Sequence, residues 1–439
     1  MSDLQDIAQK LLDLARARGA TAAMASVSDG RDTSITVRNG EVEHLEQAEA
    51  REAGLRVFFG QSSASISGSV LTPSGLEKLV DQAVAMARLA PPDPFAGLAE
   101  PAQLAKVFPA LDVHSNELVN ADDLRERALA AEASALAVKG VSKSNGAGAS
   151  SFEGRSATLA TNGYARLSAR TSFGTSASVI AGEGTAMERD YDGHGAVYWS
   201  DVEPAEKIGR TAGERAVQRL NPRKLSSQRV PVIFDRRIAT SLIGHLLSGI
   251  NGAAIARGTS FLKNDMGQAL FGSGVFIIDD PLKPRGLASR AVDGEGLPVS
   301  RQALIDKGVL TTWLLDLRSA RQLNLPPTGH GGRGGPSSSN VHMEAGNRSP
   351  AEMMRECGTG LLVTEFIGSS INMVTGDYSR GASGYWFENG AIAYPVSGVT
   401  VAGNLRDMFK ALEPANDLIF RSSTVAPSCF LGEMTLAGR

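Results

Sequence analysis

The chain has 439 residues, 42% of them hydrophobic, with 44 basic and 47 acidic side chains giving a formal charge of −3. Opposite charges are mixed along it without a basic block or aromatic-interleaved stripe, which removes the electrostatic case for a nucleic-acid partner, and no run of 18 apolar residues offers a membrane span. Cys357 and Cys429 cannot build a disulfide framework, and the acidic start MSDLQDIAQK lacks the apolar core of a signal peptide, so a reducing, cytoplasmic setting is expected.

The length exceeds what one compact core holds, so two domains are expected, 1–222 and 223–439. From the N-terminus, Leu4, Ile7, Leu11, Leu14 and Ala15 recur at helical spacing over Asp3 to Arg18, with Gly19 as the stop. Thr21 to Ser28 reads as a strand, Ser34 to Val37 as a second that turns at Asn39-Gly40 into Glu41 to Leu45, and Gly54 to Phe59 and Ser63 to Val70 as two more. Thr72 caps a helix with Pro73 at its first position, where a missing N–H costs nothing. Ala90 to Asp112, with five prolines, reads as a linker. An alanine-rich helix over Ala121 to Val138, a hairpin turning at Asn162-Gly163 and a helix over Pro204 to Leu220 complete the first half. The second half opens with a buried-type strand, Val230 to Phe234, and an apolar helix, Ile238 to Ile250. Gly274 to Ile278 and Gly308 to Leu315 read as strands of a central sheet, and no 20–50-residue period is visible. These elements define an α+β class, strand-rich, with mixed and antiparallel sheets flanked by helices.

Near the C-terminus, Leu361 to Val363 is an apolar strand, and Tyr385-Trp386-Phe387 and Ala391 to Tyr394 flank Glu388-Asn389-Gly390. Asn-Gly accepts the positive φ of a type I′ turn, so a hairpin is predicted; Pro395 cannot donate to a ladder and should end the second strand or lie on an edge. The wording of this region, VTGDYSRGASG, ENG, YPV and AGNLRDMF, closely resembles the C-terminal signature of the TldD/PmbA family of metallopeptidases, in its PmbA (TldE) branch.

In the TldD branch an HExxxH helix binds zinc through two histidines, with the glutamate as base. The GTSF that resembles the family's anchor after that helix places the three motif positions on Ile243, Gly244 and Ser248, none able to ligate zinc or act as base. His245 is off the motif, and His44, His114, His194, His330 and His342 are scattered, so no metal is assigned to this chain. Cys429 in PSCFLGEM reads as a buried thiol in a final strand.

No Lys-Ser or Lys-Thr pair follows the glycines of Gly329 to Gly335, which leaves a loop rather than a nucleotide cradle. The SSSN run that follows resembles a family segment near the substrate cleft, making His330, Arg333 and Asn340 cleft candidates. Asp377 and Arg380 are further candidates, as an acid and an electrostatic clamp, although the favoured reading is a turn in which Asp377 bonds nearby backbone N–H groups and Arg380 pairs with it. Asp279-Asp280 reads as a strand-ending turn rather than a catalytic dyad, and no GxSxG elbow occurs.

The resemblance implies a non-catalytic subunit that pairs with a TldD-type zinc metalloprotease subunit in a cytoplasmic heterodimer. Zinc and base would come from the partner, and the substrates would be peptides or unfolded segments, including modified-peptide precursors such as microcins. This chain would supply a chamber wall and strand edges for an extended substrate. The alternative is a stand-alone homodimeric scaffold that binds peptides without cleaving them; an independent hydrolase lacks identifiable catalytic groups.

Overall fold

The computed structural model describes residues 2–438. Its first half runs α1 (Ser2–Ala17), β1 (Ala22–Arg38), β2 (Glu41–Phe59), β3 (Ser62–Gly68), α2 (Pro73–Leu89), α3 (Ala121–Leu136), β4 (Val141–Ala160), β5 (Ala165–Ala181), β6 (Glu188–Ala196) and α4 (Ala205–Gln218). A helix, three strands and a helix thus occur twice. The strands form one antiparallel sheet in the order β3-β2-β1-β4-β5-β6, so the two copies meet at β1 and β4. The repeat lies in topology, not in any short sequence period.

The strands are longer than the apolar alternation predicts. Thr21 to Ser28 and Ser34 to Val37 are parts of a single β1, and Glu41 to Leu45 and Gly54 to Phe59 are parts of β2. Where the alternation lapses, at Asp29 to Asp32, the main-chain ladder continues on both sides, and Arg31 pairs with Glu49 across it at 2.7 Å. Cross-strand charge pairs stabilise a sheet that has no apolar reason to stop.

One face of this sheet is covered by helices. Ala23, Ala25 and Val27 of β1 pack under α1 and α2, while Ile35 and Val37 on the same face pack under α3 and α4. Thr72 Oγ1 accepts from the Gly75 N–H at 3.2 Å, capping α2 with Pro73 in its first turn. α4 crosses α3 so closely at Gly209 that a Cβ there would lie 1.9 Å from the Ala131 carbonyl oxygen.

The second half comprises β7 (Gln228–Phe234), α5 (Arg236–Gly249), α6 (Gly252–Ala256), β8 (Ile277–Asp279), β9 (Gln302–Asp306), β10 (Val309–Leu310), α7 (Leu317–Leu323), β11 (Val341–Met343) and α8 (Pro350–Cys357). β12 (Thr359–Ile371), β13 (Asp377–Glu388), β14 (Ala391–Asn404), α9 (Leu405–Ala411), β15 (Glu413–Pro414), β16 (Thr424–Val425) and β17 (Cys429–Ala437) follow. β14, β13, β12, β7 and β17 pair in that order, and a β14–β17 pairing closes them into a barrel. β7 is buried on both faces: Val230, Val232 and Phe234 join the main core with Leu242 and Ile243 of α5, and Ile233 packs on the other side with Met353 and Met354 of α8. That double burial explains its unbroken apolar run.

The predicted hairpin turn is present, with φ +52° at Asn389 and +79° at Gly390. Pro395 lies within β14, paired with Tyr385 of β13, and its carbonyl accepts from the Arg223 N–H at 2.9 Å on the other side. The segments Gly274 to Ile278 and Gly308 to Leu315 contribute only the short β8 and β10 to a separate five-stranded sheet, in which β10 is an edge. The α+β class, with mixed and antiparallel sheets and flanking helices, is the observed one.

Several contacts join the halves, two groups of them prominent. The proline-rich segment 90–112 is tied down: Arg321 of α7 donates to the carbonyls of Phe95, Gly97 and Leu98 at 3.1, 3.2 and 2.7 Å. On β6, Asp190 pairs with Arg237 of α5 at 2.8 Å, and Asp192 holds Arg421 through two bonds of 3.0 Å and Arg215 of α4 at 2.9 Å. Among the described residues no helix is long and apolar enough to cross a membrane.

Candidate functional site

The helix expected to carry the chemistry is α5. Asp235 caps it, accepting from the Arg237 N–H at 2.9 Å, and Ala239, Leu242, Ile243 and Leu246 bury its apolar stripe. Ile243 is fully buried in the main core, so the first motif position points away from any cleft. Gly244 lines an open groove of about 600 Å³ with Arg237, Thr240, Ser241, Thr364, Glu365, Phe366 and Arg380. A Cβ at Gly244 would meet nothing within 4 Å. Ser248 donates to the Gly244 carbonyl at 2.9 Å. A zinc ion does not fit these three positions: one side chain is hydrocarbon and sealed, one is absent, and the third is a hydroxyl bonded to its own helix. Among the described residues no group of three or more His, Cys, Asp or Glu is placed to hold a metal ion.

His245 turns its ring edge-on to Tyr378 at 5.9 Å, and burial, with the Arg380 charge nearby, pushes its pKa down to about 4. It is a neutral imidazole at physiological pH, and its buried Nε2 has no hydrogen-bond partner among the described residues. Because Gly244 sits mid-helix with free space beside it, Gly244→Ala should raise stability by roughly 0.5–1 kcal/mol through restricted backbone freedom, read as an increased urea midpoint.

The five candidates from the sequence do not converge. His330 is buried: its Nε2 lies 3.1 Å from Asp279 Oδ2 and its Nδ1 2.7 Å from Thr328 Oγ1. Asn340 is buried alongside, donating to the Asp280 carbonyl and Ser289 Oγ at 2.8 Å and accepting from the Ala288 N–H at 3.0 Å. Both staple the 329–340 loop to the end of β8, which ends at Asp279 as expected. Arg333 instead reaches the first sheet, donating to Ser26 Oγ at 2.6 Å.

Asp377 and Arg380 do not pair. Three residues apart on an unbulged stretch of β13, they lie on opposite faces. Asp377 accepts from Thr375 Oγ1 at 2.6 Å and Asn404 Nδ2 at 3.2 Å, a turn lock; Arg380 donates to the Gly368 carbonyl at 3.0 Å and stacks 4.1 Å from the Phe366 ring centroid, in the α5 groove. Cys429 is fully buried at the start of β17, with its thiol 3.3 Å from the Pro427 carbonyl, and burial pushes its pKa far up.

A second concavity was not legible in the sequence. The helix-free face of the first sheet meets the second half over a cavity of about 410 Å³, lined by Ser26, Arg56, Tyr164, Glu295 and Arg333 among others. Arg56 reads as an ordinary outward residue of an alternating strand, and Glu295 as part of a polar turn, VDGEG, so no local signal marks them.

Chemically, the α5 groove offers cations, hydroxyls, aromatic faces and the Glu365 carboxylate, which Arg219 holds, and among the described residues none of its hydroxyls is hydrogen-bonded to a carboxylate or imidazole. Comparison with known proteins supplies the class. The descriptions "PmbA/TldA metallopeptidase domain 1", "central domain" and "C-terminal domain" match residues 23–87, 114–220 and 227–438. The chain is 37% identical over 438 residues to the Metalloprotease PmbA of Escherichia coli O157:H7, covering 99% of this chain and 96% of that one. A crystal structure from Bacteroides thetaiotaomicron superposes with a TM-score of 0.93 at 27% identity, covering 100% of both chains. TldE from Thermococcus kodakarensis does so with 0.87 at 20% identity, covering 98% of this chain and 100% of that one, a likeness of fold. The fold is that of a metallopeptidase family. The chain belongs to the PmbA/TldD family, on its PmbA/TldE side.

Proposed function

We propose that this chain is the non-catalytic subunit of a cytoplasmic zinc metalloprotease, working in a heterodimer with a TldD-type subunit on peptides or unfolded segments, including modified-peptide precursors. The observation that carries the reading is α5, where Ile243, Gly244 and Ser248 stand at the motif positions and none has a donor set for zinc. Metal and proton-transferring base are then the partner's contribution. The family supports a protease setting; the division of labour is our inference.

This chain's own residues would bind and orient. The α5 groove is deepened by the missing side chain at Gly244, and Arg380, held over Phe366, presents a fixed cation to a passing carbonyl or carboxylate. Because the barrel closes on itself, main-chain bonding to an extended substrate falls to outer strands such as β3 and β6.

The test is peptide cleavage by this chain alone, by a TldD-type relative alone, and by the two mixed, with zinc measured in each. Activity in the mixture alone, with zinc in the relative alone, is the expected result. Chelator-sensitive cleavage by this chain by itself would defeat the proposal, and a stable homodimer that ignores the relative would favour a peptide-binding scaffold.

A further inference from the structure

The helix-free face of the first sheet is hollowed by its own sequence. Across the strands, Thr158, Ser26, Gly54 and Ser67 stand in one row, and the next row brings Met24, Arg56 and Ser65 side by side. Gly54 leaves a gap in this floor: a Cβ there would approach only the Ser26 carbonyl oxygen, at 3.9 Å. The roof is made by Gly97 to Ala99 of the tied-down segment, by Gly294-Glu295, by Leu317 at the start of α7 and by Gly332-Arg333. The volume of this half-open cavity, about 410 Å³, is in the range that accepts small ligands.

The polar groups in this space are unevenly satisfied. Arg333 gives one guanidinium nitrogen to Ser26, and one oxygen of Glu295 accepts from the Leu317 N–H at 2.7 Å. Arg56 is not committed: it is half-buried, stacked 4.8 Å from the Phe58 ring centroid, and none of its guanidinium donors finds a protein acceptor among the described residues. The Tyr164 hydroxyl, on a residue 5% exposed, likewise has no hydrogen-bond partner there. Burial lowers the Arg56 pKa against the attraction of the Glu295, Asp316 and Asp93 charges, none of which is hydrogen-bonded to it, so its donor fork is free for an anionic guest. Burial, with the Asp293 and Asp316 charges, raises the Glu295 carboxyl to about 7, which lessens the negative charge opposing such a guest. Met24, Leu98 and Leu317 supply an apolar wall.

We propose that this cavity binds a small organic carboxylate with an apolar body, its head taken bidentately by Arg56 and its tail set against Met24, Leu98 and Leu317. The planar guanidinium fork matches a carboxylate, whereas a phosphate dianion would gather more charge beside Glu52 and Glu295. The proposal does not depend on the subunit reading, since the site is built from this chain alone.

Isothermal titration of the full chain with N-acetyl-leucine, its uncharged amide and inorganic phosphate tests it. The acid is expected to bind with a dissociation constant below roughly 1 mM, and the amide and phosphate at least about tenfold more weakly. Arg56→Gln should weaken the acid about tenfold or more by removing the fork. Gly54→Leu, which fills the hollow from a strand position without left-handed backbone, should abolish binding. Equal binding of acid and amide, phosphate matching the acid, full binding by Gly54→Leu, or no heat from the acid at all would each overturn the proposal. The acid–amide comparison needs no variant and therefore stands whether or not a variant folds.

Discussion

Asp192→Ala is expected to destabilise the protein by about 3–5 kcal/mol, the cost of breaking a buried ion cluster from one side. Asp192 is 5% exposed and holds Arg421 with both carboxylate oxygens at 3.0 Å and Arg215 at 2.9 Å. Arg421 keeps Glu203 at 2.9 Å, but Arg215 loses its ion pair, and the link between the first sheet and the C-terminal segment goes with it. Burial by itself would raise the Asp192 pKa; Arg421 and Arg215 outweigh it and hold the carboxyl below the ordinary 3.8. Asp190 behaves alike through Arg237 and Arg219. The sign follows: stability from both groups is present above about pH 4 and is lost as pH falls through their lower folded values. Urea unfolding at pH 7 should show the loss for Asp192→Ala, and Asp192→Asn should fall between it and the parent. A change below about 1 kcal/mol would mean the cluster is solvated, like an ordinary surface pair.

Glu295→Gln is expected to act in the opposite direction and with pH. The carboxyl is raised from 4.5 to about 7 by burial, then by the Asp293 and Asp316 charges, against the Leu317 N–H and Arg56. An acid whose folded value is raised stabilises the fold below its unfolded value, and that contribution is lost as pH climbs from about 4.5 to about 7. Glutamine carries no charge in either state and can still accept from Leu317. The variant should match the parent near pH 4.5 and exceed it by up to about 3 kcal/mol at pH 8, the linkage equivalent of the shift. Parallel stability curves across that range would show that Glu295 titrates as an ordinary carboxylate.

The sequence by itself determined much here. Helical periodicity located α1, α2 and α5, capping chemistry marked Thr72-Pro73, and Asn389-Gly390 named the turn of the β13–β14 hairpin. These are local preferences, set by residues a few positions apart, so they survive translation into structure. The family signature and the loss of donors at Ile243, Gly244 and Ser248 were likewise legible, because a missing side chain is missing in any fold.

Only the tertiary structure decided what depends on distant partners. β1 runs unbroken through Asp29 to Asp32 because β2 and β4 pair with it there, residues remote in sequence. Arg380 and Asp377, neighbours in the chain, are separated by strand pleating, whereas Arg333 and Ser26, 307 positions apart, touch. His330 and Asn340 became staples once Asp279 and Asp280 were brought under them. The cavity at Arg56 exists because one face of a sheet lacks a helix and a remote loop roofs it. Burial and pairing across such separations are properties of the packed chain, and the environment they create, not the residue alone, sets what each side chain does.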